Sequence, residues 1–146
     1  MLSQLSSRVP TGAQWLYEPK FDGFRGLLHQ PSDGLVRLTS RQGKDLTGWF
    51  PELAQAGKCL PRSTVLDGEI VIADEEGCAD FGALQRRLGV ASRRSSQTAA
   101  KCPAILLVFD MLECAGTDLM QLPLIERRHR LEDVLHDLHP SLQLIL

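Results

Sequence analysis

The chain has 146 residues and a mass of 16.2 kDa, which suits one domain or a piece of a larger one. Its 16 basic and 18 acidic residues give a net charge of -2, which excludes a uniformly basic nucleic-acid coat but not a local basic patch. No stretch has the apolar run of a secretory signal or a membrane span. The four scattered cysteines form no Cys-x-x-Cys pair, which favours small, buried, reduced residues of an intracellular protein over a zinc or disulfide site.

The first third of the chain predicts a β-hairpin and a short helix. Residues 15–29 are extended in character, Pro-Ser-Asp-Gly at 31–34 predicts a turn, and residues 35–40 alternate between apolar and polar side chains. Proline is well tolerated in the first turn of a helix, so Pro51 is expected to begin one that Gly57 ends.

Two central strands are predicted further along the chain. Residues 64–73 are rich in β-branched side chains, and residues 104–112 form the continuous apolar run of a buried strand. Residues 141–146 resemble the beginning of another strand. These segments therefore predict a sheet that supplies most of the core.

Helices are predicted over 81–88, with Asp80 as the N-cap, and over about 123–138, where leucines recur at helical spacing. The polar and basic segment 91–101 predicts a mobile loop. The expected fold class is α+β, with mostly antiparallel strands and helices packed on them.

The first cluster of candidate functional residues is Glu-Pro-Lys-Phe-Asp-Gly-Phe-Arg at 18–25. Gly23 lacks a side chain, so a ligand or another backbone segment can approach closely. Lys20 and Arg25 could face one anionic ligand, and Lys20 is a nucleophile only when neutral. Solvated charges at a turn are an equally valid interpretation of these residues taken alone.

Two carboxylates interrupt the most hydrophobic predicted strand. Asp67 and Glu69 are two residues apart, so they project from the same face. A buried carboxylate needs a hydroxyl donor, a metal ion or a basic neighbour, and a ribose hydroxyl or Mg²⁺ fits this need. A solvent-facing acidic edge is the alternative.

Two further segments add possible ligand contacts. Phe109 in the apolar run offers a ring on which a base could stack, although a core role is common for such a residue. Ser-Arg-Gln-Gly-Lys at 40–44 supplies cations beside a glycine, either as phosphate contacts or as an exposed hairpin end.

Together these segments form an ordered set: Lys-x-Asp-Gly-x-Arg at 20–25, Ser-Arg-x-Gly at 40–43, Asp-Gly-Glu at 67–69 and Phe-Asp at 109–110. The set resembles the nucleotidyltransferase domain of ATP-dependent DNA ligases, most closely the bacterial type. Further matches are Thr-x-x-Phe-Pro-Glu at 47–52, Phe-x-x-Leu-Gln-x-Arg at 81–87 and Pro-Leu-x-Glu-Arg-Arg at 123–128. The resemblance extends from about residue 15 to residue 131 and implies a partial ATP-grasp-like nucleotidyltransferase fold.

The resemblance implies a role for each matching residue. Lys20 would attack the α-phosphate of ATP, release pyrophosphate and hold AMP as lysyl-AMP. Glu18 would contact adenine, and Phe109 would stack on it. Arg25 and Arg41 would contact ribose and phosphate, with Arg41 also facing the 5′-phosphate of the nick. Glu69 would bind ribose and help to place Mg²⁺ or Mn²⁺.

In the family, AMP then passes to the 5′-phosphate of nicked duplex DNA, and the 3′-hydroxyl displaces it to seal the strand. This chemistry implies a cytoplasmic, nucleoid-associated bacterial enzyme of DNA replication, repair or recombination. The later Glu-Gly and Lys-x-Lys motifs and the OB-fold domain do not occur in residues 1–146. We therefore expect a partial adenylation domain whose partners include a C-terminal half or repair proteins.

Two alternatives remain at this point. RNA ligases and mRNA-capping enzymes share Lys-x-Asp-Gly, although the Tyr-Glu-Pro-Lys context favours DNA ligases. A non-catalytic nucleotide- or DNA-binding remnant is the other alternative. The candidate DNA contacts lie in a segment without acidic residues between Phe81 and Phe109, and they are Arg86, Arg87, Arg93 and Arg94.

Overall fold

A computed structural model describes residues 7–13, 15–89, 95–136 and 138–145. Within these ranges it contains six strands and four helices. The strands are β1 (Phe24–Gln30), β2 (Arg37–Ser40), β3 (Thr64–Ile72), β4 (Ala104–Cys114), β5 (Thr117–Asp118) and β6 (Leu142–Leu144). The helices are α1 (Pro51–Gly57), α2 (Phe81–Gly89), α3 (Ser95–Lys101) and α4 (Leu124–Leu135).

The strands form one sheet in the order β2-β1-β3-β4-β5, and each neighbouring pair is antiparallel. The exception is β6, which pairs with β4 in parallel. The predicted hairpin is the β1–β2 pair, and the two predicted central strands are β3 and β4. The prediction of an α+β fold with mostly antiparallel strands is confirmed.

One face of the sheet forms the hydrophobic core with the helices. Leu28 of β1, Leu66 and Ile70 of β3 and Leu106 of β4 are fully buried there, together with Leu53 of α1. Because successive side chains of a strand point to opposite faces, the residues between them project from the other face. The sheet thus separates a hydrophobic core from a face that carries the candidate site.

A β-bulge changes this alternation in β4. Gly68 pairs with Val108 and Asp67 pairs with Asp110, so Phe109 is an extra residue without an opposite partner. Val108 and Met111 are both fully buried, and the two residues between them are only partly buried. The bulge therefore turns both Phe109 and Asp110 away from the core.

A buried ion pair connects α1 to α2 and to the beginning of β4. Arg87 Nη1 donates to Glu52 Oε1 at 2.9 Å, and Arg87 also donates to the carbonyls of Trp49 and Cys102. The same Glu52 oxygen accepts the backbone N–H of Ala104 at 2.9 Å. The guanidinium of Arg87 is fully buried, so this contact belongs to the structural core.

Two expectations differ from the structure. Residues 95–101, expected to lie in a mobile loop, form α3, because they include good helix formers and Ala99 is buried against the fold. The earlier residues of that expected loop, 91–94, lie outside the described ranges. The cysteines are free thiols but are not buried residues, because Cys59, Cys78 and Cys102 are exposed and Cys114 is partly buried.

Among the described residues, no helix has both the length and the apolar character that a bilayer span requires.

Candidate active site

A cleft of about 760 Å³ opens on the face of the sheet opposite the core. This volume lies within the range of ligand pockets. Five of the predicted nucleotide-site residues line it: Glu18, Lys20, Arg25, Glu69 and Phe109. Residues from the N-terminal segment, β1, β3 and β4 thus meet at one site, as the resemblance predicted.

Lys20 lies in the irregular segment before β1, with its side chain 86% exposed. Its Nζ donates to Asp22 Oδ1 at 2.7 Å. The hydrogen bond and the negative charge of Asp22 raise the pKa of Lys20, and the pKa of Asp22 is lowered in return. The lysine is therefore held in its charged form in this arrangement.

Close packing at Gly23 fixes the position at which this segment enters β1. A Cβ atom at Gly23 would lie 2.3 Å from the backbone oxygen of Ile70, which is too close for any other residue. The backbone of Gly23 also makes a hydrogen bond with the carboxylate of Glu69. The absence of a side chain thus lets the lysine-bearing segment lie directly against β3.

Asp67 is buried and has a basic partner. Arg25 on β1 forms a two-pronged contact with it, from Nε to Oδ1 at 3.0 Å and from Nη2 to Oδ2 at 2.6 Å. The hydrogen bonds that Arg25 donates to Asp67 raise the pKa of Arg25. A solvent-facing acidic edge is therefore excluded for Asp67, and Arg25 is oriented by this pair.

Glu69 is partly buried beside Lys20 and Arg25. Burial raises the pKa of its carboxyl group, while the Gly23 hydrogen bond and the charges of Lys20 and Arg25 oppose that increase. The described residues include no group of three or more side chains that could hold a metal ion by themselves. Mg²⁺ is commonly held by one or two carboxylates together with substrate phosphates, so the donors present are compatible with such a site.

The bulge in β4 positions Phe109 and Asp110 side by side in the cleft. The guanidinium carbon of Arg25 lies 5.4 Å from the centroid of the Phe109 ring. Asp110 accepts two hydrogen bonds from Arg127 on α4, at 2.8 Å and 2.7 Å. Phe109 is thus followed in β4 by Asp110, which these hydrogen bonds fix to α4.

Arg41 is an exposed residue in the turn after β2 and is not among the described residues that line the cleft. The β1–β2 register aligns Ser40 with Gly26, so Arg41 lies at the same end of the sheet as Arg25. Its predicted contact with the 5′-phosphate stays a prediction.

Of the four predicted DNA contacts, the structure describes Arg86 and Arg87 and places them in different environments. Arg86 is exposed, with a weak contact to Asp80 at 3.4 Å. Arg87 is buried against Glu52 and cannot reach DNA, so its assignment as a DNA contact was wrong. Arg93 and Arg94 lie outside the described residues.

Several residues of the cleft were not predicted. They are Leu112, Met120, Leu124, Arg127 and Ile145, whereas Asp67 and Asp110 belonged to the sequence motifs but were given no role by the resemblance. The Pro-Leu-x-Glu-Arg-Arg segment contains Leu124 and Arg127, so this match carried a signal that could have assigned both residues to the site. Nothing local distinguishes Met120 or Ile145 from ordinary apolar residues.

Comparison with known proteins supports the resemblance. The family model described as "ATP dependent DNA ligase domain" matches residues 1–145. DNA ligase C2 of Mycolicibacterium smegmatis is 41% identical over 146 residues, covering 99% of this chain and 40% of that protein. The bifunctional non-homologous end joining protein LigD of Bacillus subtilis is 39% identical over 140 residues, covering 90% of this chain and 22% of that protein.

A solved structure of mycobacterial DNA ligase D complexed with ATP and MES has a TM-score of 0.66 and 30% identity to this chain. The alignment covers 88% of this chain and 38% of that chain. The chain thus spans two fifths or less of the lengths of these three relatives. The names of these relatives do not favour the RNA ligase and capping alternative, and the predicted nucleotidyltransferase fold is confirmed. The chain belongs to the ATP-dependent DNA ligase domain family.

Proposed function

We propose that this chain is the nucleotide-binding and self-adenylating part of an ATP-dependent DNA ligase, with Lys20 as the nucleophile. The observation that carries the proposal is the convergence of Lys20, Arg25 and Glu69 on one cleft of nucleotide size. Nicked duplex DNA is the proposed second substrate. A C-terminal part that supplies the later motifs and repair proteins are the proposed partners, in the bacterial cytoplasm close to the nucleoid.

In the first step, the neutral amine of Lys20 attacks the α-phosphate of ATP. A nitrogen–phosphorus bond forms, the bond between the α-phosphate and the bridging oxygen breaks, and pyrophosphate leaves with the electron pair. The proton of the amine passes to solvent. AMP is then transferred to the 5′-phosphate of the nick, where the 3′-hydroxyl displaces it. Positioning and charge neutralisation dominate such reactions.

The cleft residues are proposed to contact different parts of the nucleotide. Arg25, oriented by Asp67, and Arg41 would contact ribose and phosphate groups. Phe109 would stack on the adenine ring, and Glu18 would accept a hydrogen bond from its amino group. Each of these contacts positions the nucleotide with respect to Lys20.

Glu69 would contact the ribose and, together with phosphate oxygens, would hold Mg²⁺ or Mn²⁺. When bound, such an ion neutralises phosphate charge and makes the phosphorus easier to attack. Because Glu69 lies beside Lys20 and Arg25, two positive charges already favour an anionic ligand at this position.

The intact mass of the chain after incubation with ATP and Mg²⁺ tests the proposal. We expect a gain of one AMP in the wild type and in Lys58→Ala, which alters an exposed lysine on another part of the fold. The gain should be absent in Lys20→Ala. Parallel incubations with GTP and NAD test the choice of nucleotide.

Two results would contradict the proposal. A covalent label from GTP alone would indicate a capping-type enzyme. ATP binding without any covalent label, in the presence or absence of Lys20, would indicate a non-catalytic nucleotide-binding module.

A further inference from the structure

The segment that carries Lys20 has few contacts with the rest of the fold. Residues 15–20 have no regular structure and are exposed. Among the described residues, two side-chain hydrogen bonds of this segment are local, from Tyr17 to Pro10 and from Lys20 to Asp22. The long-range one joins Glu18 to Arg128, which is 110 residues away in sequence.

The guanidinium group of Arg128 connects the segment that carries Glu18, helix α4 and the residue after β6. Its Nη1 donates to Glu18 Oε1 at 2.8 Å, and its Nε donates to Glu132 Oε1 on the same helix at 3.3 Å. Its Nη2 donates to the backbone oxygen of Ile145, directly after β6. Glu18 and Ile145 both line the cleft, whereas Arg128 lies behind them with its side chain 11% exposed.

We propose that Arg128 is a positioning residue that sets the base preference of the cleft by holding the carboxylate of Glu18. The inference rests on the proposed function for the identity of the ligand. Arg128 occupies one oxygen of Glu18, and a carboxylate retains further acceptor capacity. Adenine presents an amino donor where guanine presents a carbonyl oxygen. A fixed carboxylate therefore favours adenine, whose amino group can donate a hydrogen bond to it, and repels the carbonyl oxygen of guanine.

The proposal makes Arg128 act at a distance from the reacting atoms. Without it, Glu18 and the residues up to Lys20 lose their long-range hydrogen bond, and the backbone oxygen of Ile145 loses a donor. We therefore expect loss of Arg128 to weaken the nucleotide preference and to make residues 15–20 less ordered.

Four single variants and one double variant of the chain test this proposal. The single variants are Arg128→Ala, Arg128→Lys, Glu18→Gln and the control Arg130→Ala, which alters an exposed arginine of the same helix. The double variant combines Arg128→Ala with Glu18→Gln. Hydrogen exchange of backbone amides in residues 15–20 is measured without nucleotide. Binding of ATP and of GTP is measured separately by equilibrium dialysis.

We expect Arg128→Ala to increase hydrogen exchange in residues 15–20. The preference for ATP over GTP should fall by about tenfold, as for the loss of one hydrogen bond to a charged group. Arg128→Lys should restore part of the preference, and Arg130→Ala should behave as the wild type. Adding Arg128→Ala to Glu18→Gln should produce little further loss, because both variants remove the same contact.

Unchanged exchange and unchanged preference in Arg128→Ala would overturn the proposal. If that variant fails to fold, Glu18→Gln decides the question, since Glu18 is an exposed residue on an irregular segment; full retention of the preference there would also overturn it. If the wild type binds neither nucleotide, the proposed function fails, while hydrogen exchange still tests whether Arg128 holds the segment.

Discussion

Lys20 lies beside a carboxylate that opposes its proposed chemistry. The contact with Asp22 stabilises the ammonium form, whereas attack on phosphorus requires the free amine. The ion pair must therefore open before the reaction, and a bound nucleotide phosphate is a suitable competitor for the ammonium group.

Replacing Asp22 by Asn should lower the pKa of Lys20 towards its ordinary value of 10.5. The substitution removes the negative charge that favours the protonated amine, so the neutral form should appear at lower pH. The pH dependence of the reaction of Lys20 with an amine-specific reagent, followed by peptide mass spectrometry, measures this change. Lys58 is the internal control, and an unchanged Lys20 profile would contradict the prediction.

At the residue scale, sequence reasoning identified the residues whose chemistry is explicit in a motif. Lys20 and Glu69 lie in the cleft because one short motif leads into β1 and the other lies on the neighbouring strand β3. The burial of Arg87 was not predictable from its neighbours, because Arg86 and Arg87 look alike in sequence. Only the packing of α2 against the rest of the fold, which buries Leu84 and Arg87, determines which of the two arginines faces inward.

The buried contact between Arg87 and Glu52 is the clearest polar link between elements. It joins α1, α2 and the beginning of β4 inside the core. One oxygen of Glu52 and the Nε of Arg87 are buried without a hydrogen-bond partner among the described residues. Such a contact is costly to break, because the remaining charge stays buried and unpaired.

Arg87→Ala should therefore reduce the free energy of unfolding by about 3 kcal/mol or more. Arg86→Ala, which alters the adjacent exposed arginine, should change it by less than about 0.5 kcal/mol. Urea denaturation followed by circular dichroism measures both values. Equal midpoints for the two variants would show that the buried pair contributes nothing to stability.

At the element scale, strands and helices with clear apolar periodicity were predictable. The central strands β3 and β4 correspond closely to the predicted ranges. The polar sequence of α3 has no such periodicity, and its helical form depends on packing against α1 as well as on the intrinsic preference of its alanines. The bulge in β4 was also not predictable, because a continuous apolar run contains no alternation that could reveal a change of register.

Over the whole molecule, positive charge is unevenly distributed. The net charge is -2, yet no acidic residue occurs between Phe81 and Phe109. Arg86 and Lys101 of this region are exposed in the structure. Exposed cations such as these can bind DNA phosphates through counterion release even on a mildly acidic protein.

If Arg86 contacts a DNA phosphate, Arg86→Ala should weaken binding to a nicked duplex and reduce the slope of log K against log salt concentration by about 1. Fluorescence anisotropy at several salt concentrations measures the slope. Arg130→Ala removes the same charge from a different element and should leave the slope unchanged. Equal slopes for the two variants would exclude Arg86 as a phosphate contact.

The bulge at Phe109 has a consequence for insertions and deletions. Loss of one residue from a central strand normally reverses every side chain beyond it, because the side-chain period is two. Here Phe109 is the extra residue, so its deletion would bring Asp110 into line with the regular β3–β4 pairing while Met111 still faced the core. The fold is therefore expected to tolerate loss of this ring, so the sheet itself does not require a residue at this position.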